Sequence, residues 1–69
     1  MKIKIKSFNG YLPSYLTVEE VYEVDCFYEN NKNYPCILAD NNHHIVLEIN
    51  KCGHLNGGSW EVVNEWNCF

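Results

Sequence analysis

A chain of 69 residues with 46% hydrophobic and 14% aromatic content has room for one small domain and too much apolar mass to stay disordered. Its formal net charge is −4 and all five basic residues are lysines, which argues against nonspecific binding to nucleic acid, where basic side chains on phosphates supply most of the affinity. No stretch approaches the ~20 apolar residues of a spanning helix. The first residues alternate where a signal peptide needs an unbroken apolar run. The expectation is a cytoplasmic protein with its four cysteines reduced, although an even cysteine count also admits disulfides.

Ile3 and Ile5 alternate with Lys2, Lys4 and Lys6, the pattern of a half-buried strand whose lysines face water and guard a sheet edge. Phe8-Asn9-Gly10 reads as the exit turn. Tyr11-Leu12-Pro13-Ser14-Tyr15-Leu16 holds too many breakers for an element of its own and reads as a long ordered loop pinned by its aromatics. Thr17-Val18-Glu19-Glu20 matches a capping box, which predicts one brief helical turn. From Val21 to Tyr28 the composition is that of a strand. Tyr22, Val24, Cys26 and Tyr28 share the face expected to point inward, because the opposite face carries Glu23 and Asp25.

After the polar reversal Glu29-Asn30-Asn31-Lys32-Asn33 comes the plainest signal in the chain. Two β-branched runs between Tyr34 and Ile49 flank Asp40-Asn41-Asn42, residues that tolerate left-handed backbone and bond their own main chain. This is a β-hairpin. Ile37 and Ala39 share one face with Cys36 and Leu38 opposite; Ile45, Leu47 and Ile49 form the apolar side, with His44, Val46 and Glu48 on the wetter one. Residues 50–58 form a glycine-rich loop with Leu55 as its anchor. Trp60-Glu61-Val62-Val63 is a last strand, and an aromatic tail follows it.

Five short strands with one long early loop predict an all-β fold, a small five-stranded SH3-like barrel or rolled antiparallel sheet, as one domain over residues 1–69. An OB-like barrel is the competitor, but it usually wants a helix before its fourth strand, and no helical period of sufficient length is present.

Val21-Tyr22-Glu23-Val24, Ile37-Leu38-Ala39-Asp40-Asn41-Asn42 and Trp60-Glu61-Val62-Val63 together resemble small phage and prophage proteins with an SH3-like barrel. The resemblance runs from about Val21 to Val63. It departs at Asn41-Asn42-His43, where the usual glycine is absent, and in the tail. It implies an accessory protein of phage or prophage origin that binds a host component, with no single activity attached.

Candidate chemistry is sparse. Cys52-Gly53-His54 is the one close ligand pair, whereas structural zinc prefers two, and Cys26, Cys36, Cys68 and His43-His44 have no spacing that asks for a metal. Buried free cysteine behaves as a small hydrophobe, so no metal and no cofactor are expected. A Cys52/His54 nucleophilic pair lacks a third, orienting group. Glu19, Glu20, Glu23 and Asp25 read as a solvated acidic face, since a chain this small offers little cleft for paired carboxylates. Gly57-Gly58 reads as a turn.

Surface recognition remains. Tyr11, Tyr15, Tyr28, Tyr34, Trp66 and Phe69 exceed what this core can hide. In SH3-like barrels a peptide usually lies beside the long first loop, which here holds Tyr11, Pro13 and Tyr15. Tyr11, Tyr15, Trp66 and Phe69 are therefore the candidate partner-binding residues, and the tail residues among them suit a homodimer or a partner interface. The expected function is a non-enzymatic module that binds a host protein, preferably a basic one. The alternatives are a nucleic-acid-binding barrel that uses Lys2, Lys4 and Lys6, and a small zinc-binding module.

Overall fold

The alternation at the amino terminus folds as strand β1 (Lys2–Ser7), with Ile3 and Ile5 buried. In this computed structural model, which describes residues 1–64, four more strands follow: β2 (Tyr22–Phe27), β3 (Pro35–Leu38), β4 (His44–Val46) and β5 (Ser59–Asn64). They form one antiparallel sheet in the order β4-β3-β2-β1-β5. The sheet is rolled and open. Its two ends approach where the Trp60 N–H on β5 donates to the Ile49 carbonyl just past β4, at 2.8 Å. The five-stranded, SH3-like rolled sheet expected from the sequence is the fold observed. Among the described residues no helix is long and apolar enough to cross a membrane.

β1 is an inner strand, so its lysines do not guard an edge; β4 and β5 are the end strands. Lys2 lies opposite Glu23 of β2, and Lys4 opposite Glu61 of β5. Opposite charges across antiparallel strands suit this arrangement.

β2 contains the main departure from simple alternation. Val24 pairs with Ile37, yet Cys26 pairs with Cys36, so two steps along β2 match one along β3. This β-bulge at Asp25 reverses the faces. Tyr22 is buried and Val24 half-buried, as expected, but Cys26 and Tyr28 point to water, and Phe27 turns partly inward.

The hairpin forms as read. Leu38 pairs with His44, the Ala39 N–H donates to the His43 carbonyl at 2.9 Å, and Asn42 takes the left-handed position (φ 67°) that a glycine usually fills. The Asn41 side-chain oxygen accepts the His43 N–H at 3.1 Å, which supports the turn locally. Ile37 and Ala39 are buried and Leu38 exposed, while Cys36 on the second face is buried too.

The long loop between β1 and β2 docks on that hairpin. No helical turn forms at Thr17. The Glu20 N–H reaches the Thr17 carbonyl at 3.3 Å with Glu19 at φ 75°, a β-turn, and the Thr17 hydroxyl donates to Asp40 at 2.6 Å. The Tyr22 hydroxyl accepts the Thr17 N–H (2.9 Å) and donates to Asp40 (3.0 Å). Burial foremost, with Asp40 beside it, raises the Tyr22 phenol above its ordinary pKa, against the lowering effect of the Thr17 N–H. The core gathers Ile3, Ile5, Leu16, Tyr22, Ile37, Leu47, Cys52, Leu55 and Trp60, with Trp60 edge-on to Tyr22.

In the glycine-rich loop, Leu55 is fully buried at the end of a 3-10 turn (Gly53–Leu55). Gly58 is more than a turn residue. A Cβ there would lie 2.0 Å from the Ser7 carbonyl oxygen, so the close approach of the loop to β1 requires glycine.

Candidate functional site

Three connections converge on one open groove of about 720 Å³. The long first loop contributes Tyr15. The β2–β3 connection contributes Tyr28, Glu29 and Tyr34, and the segment leaving β4 contributes Val46, Leu47 and Glu48. The 3-10 turn before β5 closes the groove with Cys52, Gly53 and His54.

Each tyrosine is placed by main-chain bonding. Tyr15 lies on a turn in which the Leu16 N–H donates to the Pro13 carbonyl (3.2 Å), and its own carbonyl accepts the Asp40 N–H (3.0 Å). Tyr28 and Tyr34 stand at the two feet of the β2–β3 connection, joined by the Tyr28 N–H to the Tyr34 carbonyl at 2.8 Å. Between them a short 3-10 turn (Tyr28–Asn30) carries Glu29 at φ 52° and Asn30 at φ 58°. The expectation that Tyr28 faces the core is corrected: the bulge at Asp25 turns it out, and 52% of its surface is exposed.

The Tyr15 hydroxyl and His54 Nδ1 lie 2.8 Å apart, with the rings nearly perpendicular at a centroid distance of 5.8 Å. This contact ties the first loop to the 3-10 turn across the groove. Among the described residues the carboxylates of Glu29 and Glu48 are the formal charges on the lining, and both are negative. Apolar rings with an acidic rim can hold an extended chain and a cation, since tyrosine offers a large face at low entropic cost and attracts cations through its ring.

Of the residues singled out from sequence, Tyr15 lines the groove. Tyr11 does not: it is 94% exposed, and its carbonyl accepts from Asn56 Nδ2 at 3.2 Å. Trp66 and Phe69 lie outside the described residues, as does Cys68. Tyr28 and Tyr34 were recognisable as surplus aromatics. Glu29, Glu48 and His54 were not recognisable as groove residues, because only the rolled sheet brings them together.

Cys52 and His54 sit in different surroundings. Cys52 is fully buried in the core, while His54 sits half-buried at the groove and is engaged by Tyr15. Among the described residues, no three His, Cys, Asp or Glu side chains come together in a way that could hold a metal ion. Glu19, Glu20, Glu23 and Asp25 are all exposed, and Asp25 lies 3.2 Å from His44 on the outer face of the sheet. Comparison with protein-family models, curated proteins and solved structures gave no match.

Proposed function

We propose that this chain is a non-enzymatic protein-binding module whose groove takes an extended, lysine- or arginine-bearing segment of a partner protein. The observation that carries this reading is the convergence of Tyr15, Tyr28 and Tyr34 on one groove whose formal charges, Glu29 and Glu48, are both acidic. A partner chain laid across the rings would bury apolar stems against them and place its cation at the rim, where the carboxylates attract it. The net charge of −4 favours encounter with a basic partner over the whole surface. The resemblance to phage and prophage proteins makes a host protein in the cytoplasm the natural partner.

A nucleic-acid-binding barrel is the weaker reading. Its lysine row on β1 lies opposite Glu23 and Glu61, which offsets the positive stripe that a phosphate backbone would need.

Fluorescence anisotropy with labelled extended peptides tests the proposal. Peptides with lysine or arginine among proline and aliphatic residues are expected to bind, and their glutamate-substituted counterparts are not. Tyr28→Ala and Glu48→Lys should each weaken binding about tenfold or more, in line with the loss of an interface anchor or a rim charge reversal. Equal binding of acidic and basic peptides, or binding insensitive to both substitutions, would reject the groove as the site.

A further inference from the structure

We propose that Cys26 and Cys36 form a cross-strand dithiol that closes to an intramolecular disulfide when the chain meets a low-molecular-weight disulfide such as oxidised glutathione. This inference stands apart from the groove reading and rests on the pairing of β2 with β3. Cys26 and Cys36 are direct partners in that antiparallel register. Antiparallel partners hold their Cα atoms about 4.5–5.5 Å apart with side chains on the same face. That spacing falls inside the roughly 4.4–6.8 Å window of protein disulfides.

The two sulfurs are unequal in a useful way. Cys26 is exposed because the bulge at Asp25 turns it outward, so it meets the oxidant first. Cys36, 9% exposed, sits on the inner strand β3 and is shielded on the same face by Cys26 and Val46, its partners on either side. Burial first, with the Cys26 thiol next to it, pushes its thiol above its ordinary pKa, which favours the neutral S–H.

The chemistry balances by thiol–disulfide exchange. The Cys26 thiolate attacks one sulfur of oxidised glutathione, forming a mixed disulfide and releasing one glutathione thiolate. Cys36 then passes its proton to the released glutathione thiolate, and its sulfur attacks Cys26 Sγ, breaking the mixed disulfide and releasing the second glutathione as a thiolate that water protonates. Two protein thiols are oxidised, and one glutathione disulfide is reduced to two thiols. The bond would join the two strands at the feet of the connection that carries Tyr28, Glu29 and Tyr34. Cys52, with no exposed surface, serves as an internal control.

The test uses the full chain, reduced and then equilibrated with mixtures of reduced and oxidised glutathione. Alkylation of the remaining thiols and peptide mapping by mass spectrometry give the products. The expected result is a Cys26–Cys36 linked peptide pair without a lasting glutathione adduct on Cys26, and Cys52 alkylated only after denaturation. Cys36→Ala should trap glutathione on Cys26. Should that variant not fold, the unsubstituted chain decides alone. Stable glutathionylation of Cys26 beside a free Cys36, pairing of Cys26 with Cys68, or two free thiols in the most oxidising mixture would each overturn the proposal.

Discussion

Two tyrosines fasten the same long loop, and they do so differently. Tyr22 is buried, with its hydroxyl saturated by the Thr17 N–H and Asp40 and its ring edge-on to Trp60. Tyr15 is half-buried, bonds His54 as its one side-chain partner among the described residues, and keeps a face toward the groove. Tyr22 has no capacity left for a partner, whereas Tyr15 does. Local saturation separates a side chain that holds the fold from one that is free to recognise something else.

The sharpest way to break this contrast is at the loop's apolar foot. Leu16→Ala removes a buried core side chain and should cost about 2–4 kcal/mol in urea unfolding, with peptide binding lost only in proportion to unfolded protein. Tyr22→Phe leaves the ring but strands the Thr17 N–H and one Asp40 bond, so a loss of about 1–2 kcal/mol is expected, with groove affinity unchanged. Tyr15→Phe inverts that pattern: stability should fall by less than about 1 kcal/mol, while binding of a cationic peptide weakens measurably. Equal effects of the two phenylalanine substitutions on binding would erase the distinction.

Alkaline titration sharpens the same contrast. The raised pKa of Tyr22 means that the unfolded chain loses its phenolic proton from about 10.0 while the folded chain retains it. Stability from this group is therefore complete below 10.0 and falls as pH climbs beyond it. Cys36 acts in the same direction from its ordinary 9.0. Chemical denaturation between pH 8 and 11 should show the decline, and Tyr22→Phe should remove the tyrosine part of the slope. The smallest effect belongs to the exposed Asp25–His44 contact, where Asp25→Asn should shift stability by no more than about 0.5 kcal/mol.

Much of the fold was legible because its signals are local. The Ile/Lys alternation marked β1, and Asp40-Asn41-Asn42 marked the hairpin, since both depend on residues a few positions apart. The Thr17–Glu20 match to a capping box misled for the same reason. Its hydroxyl bonds Asp40, 23 residues away, and caps no helix. The bulge at Asp25 carries no compositional mark, so the faces of Cys26 and Tyr28 could not be read from period two alone. In the groove, Tyr15, Tyr28 and Tyr34 stood out as aromatic surplus, but their meeting with Glu48 and His54 is a property of the rolled sheet.

The bulge at Asp25 also stores one residue of slack in β2. Removing that one residue would make Val24–Ile37 and Cys26–Cys36 successive rungs of a regular ladder, so every side chain beyond it would keep its present face, a spelling change the folded strand does not register. A length change of one residue inside β2 is thus absorbed at the bulge, while the polar connection of residues 29–33 has no ladder phase to keep.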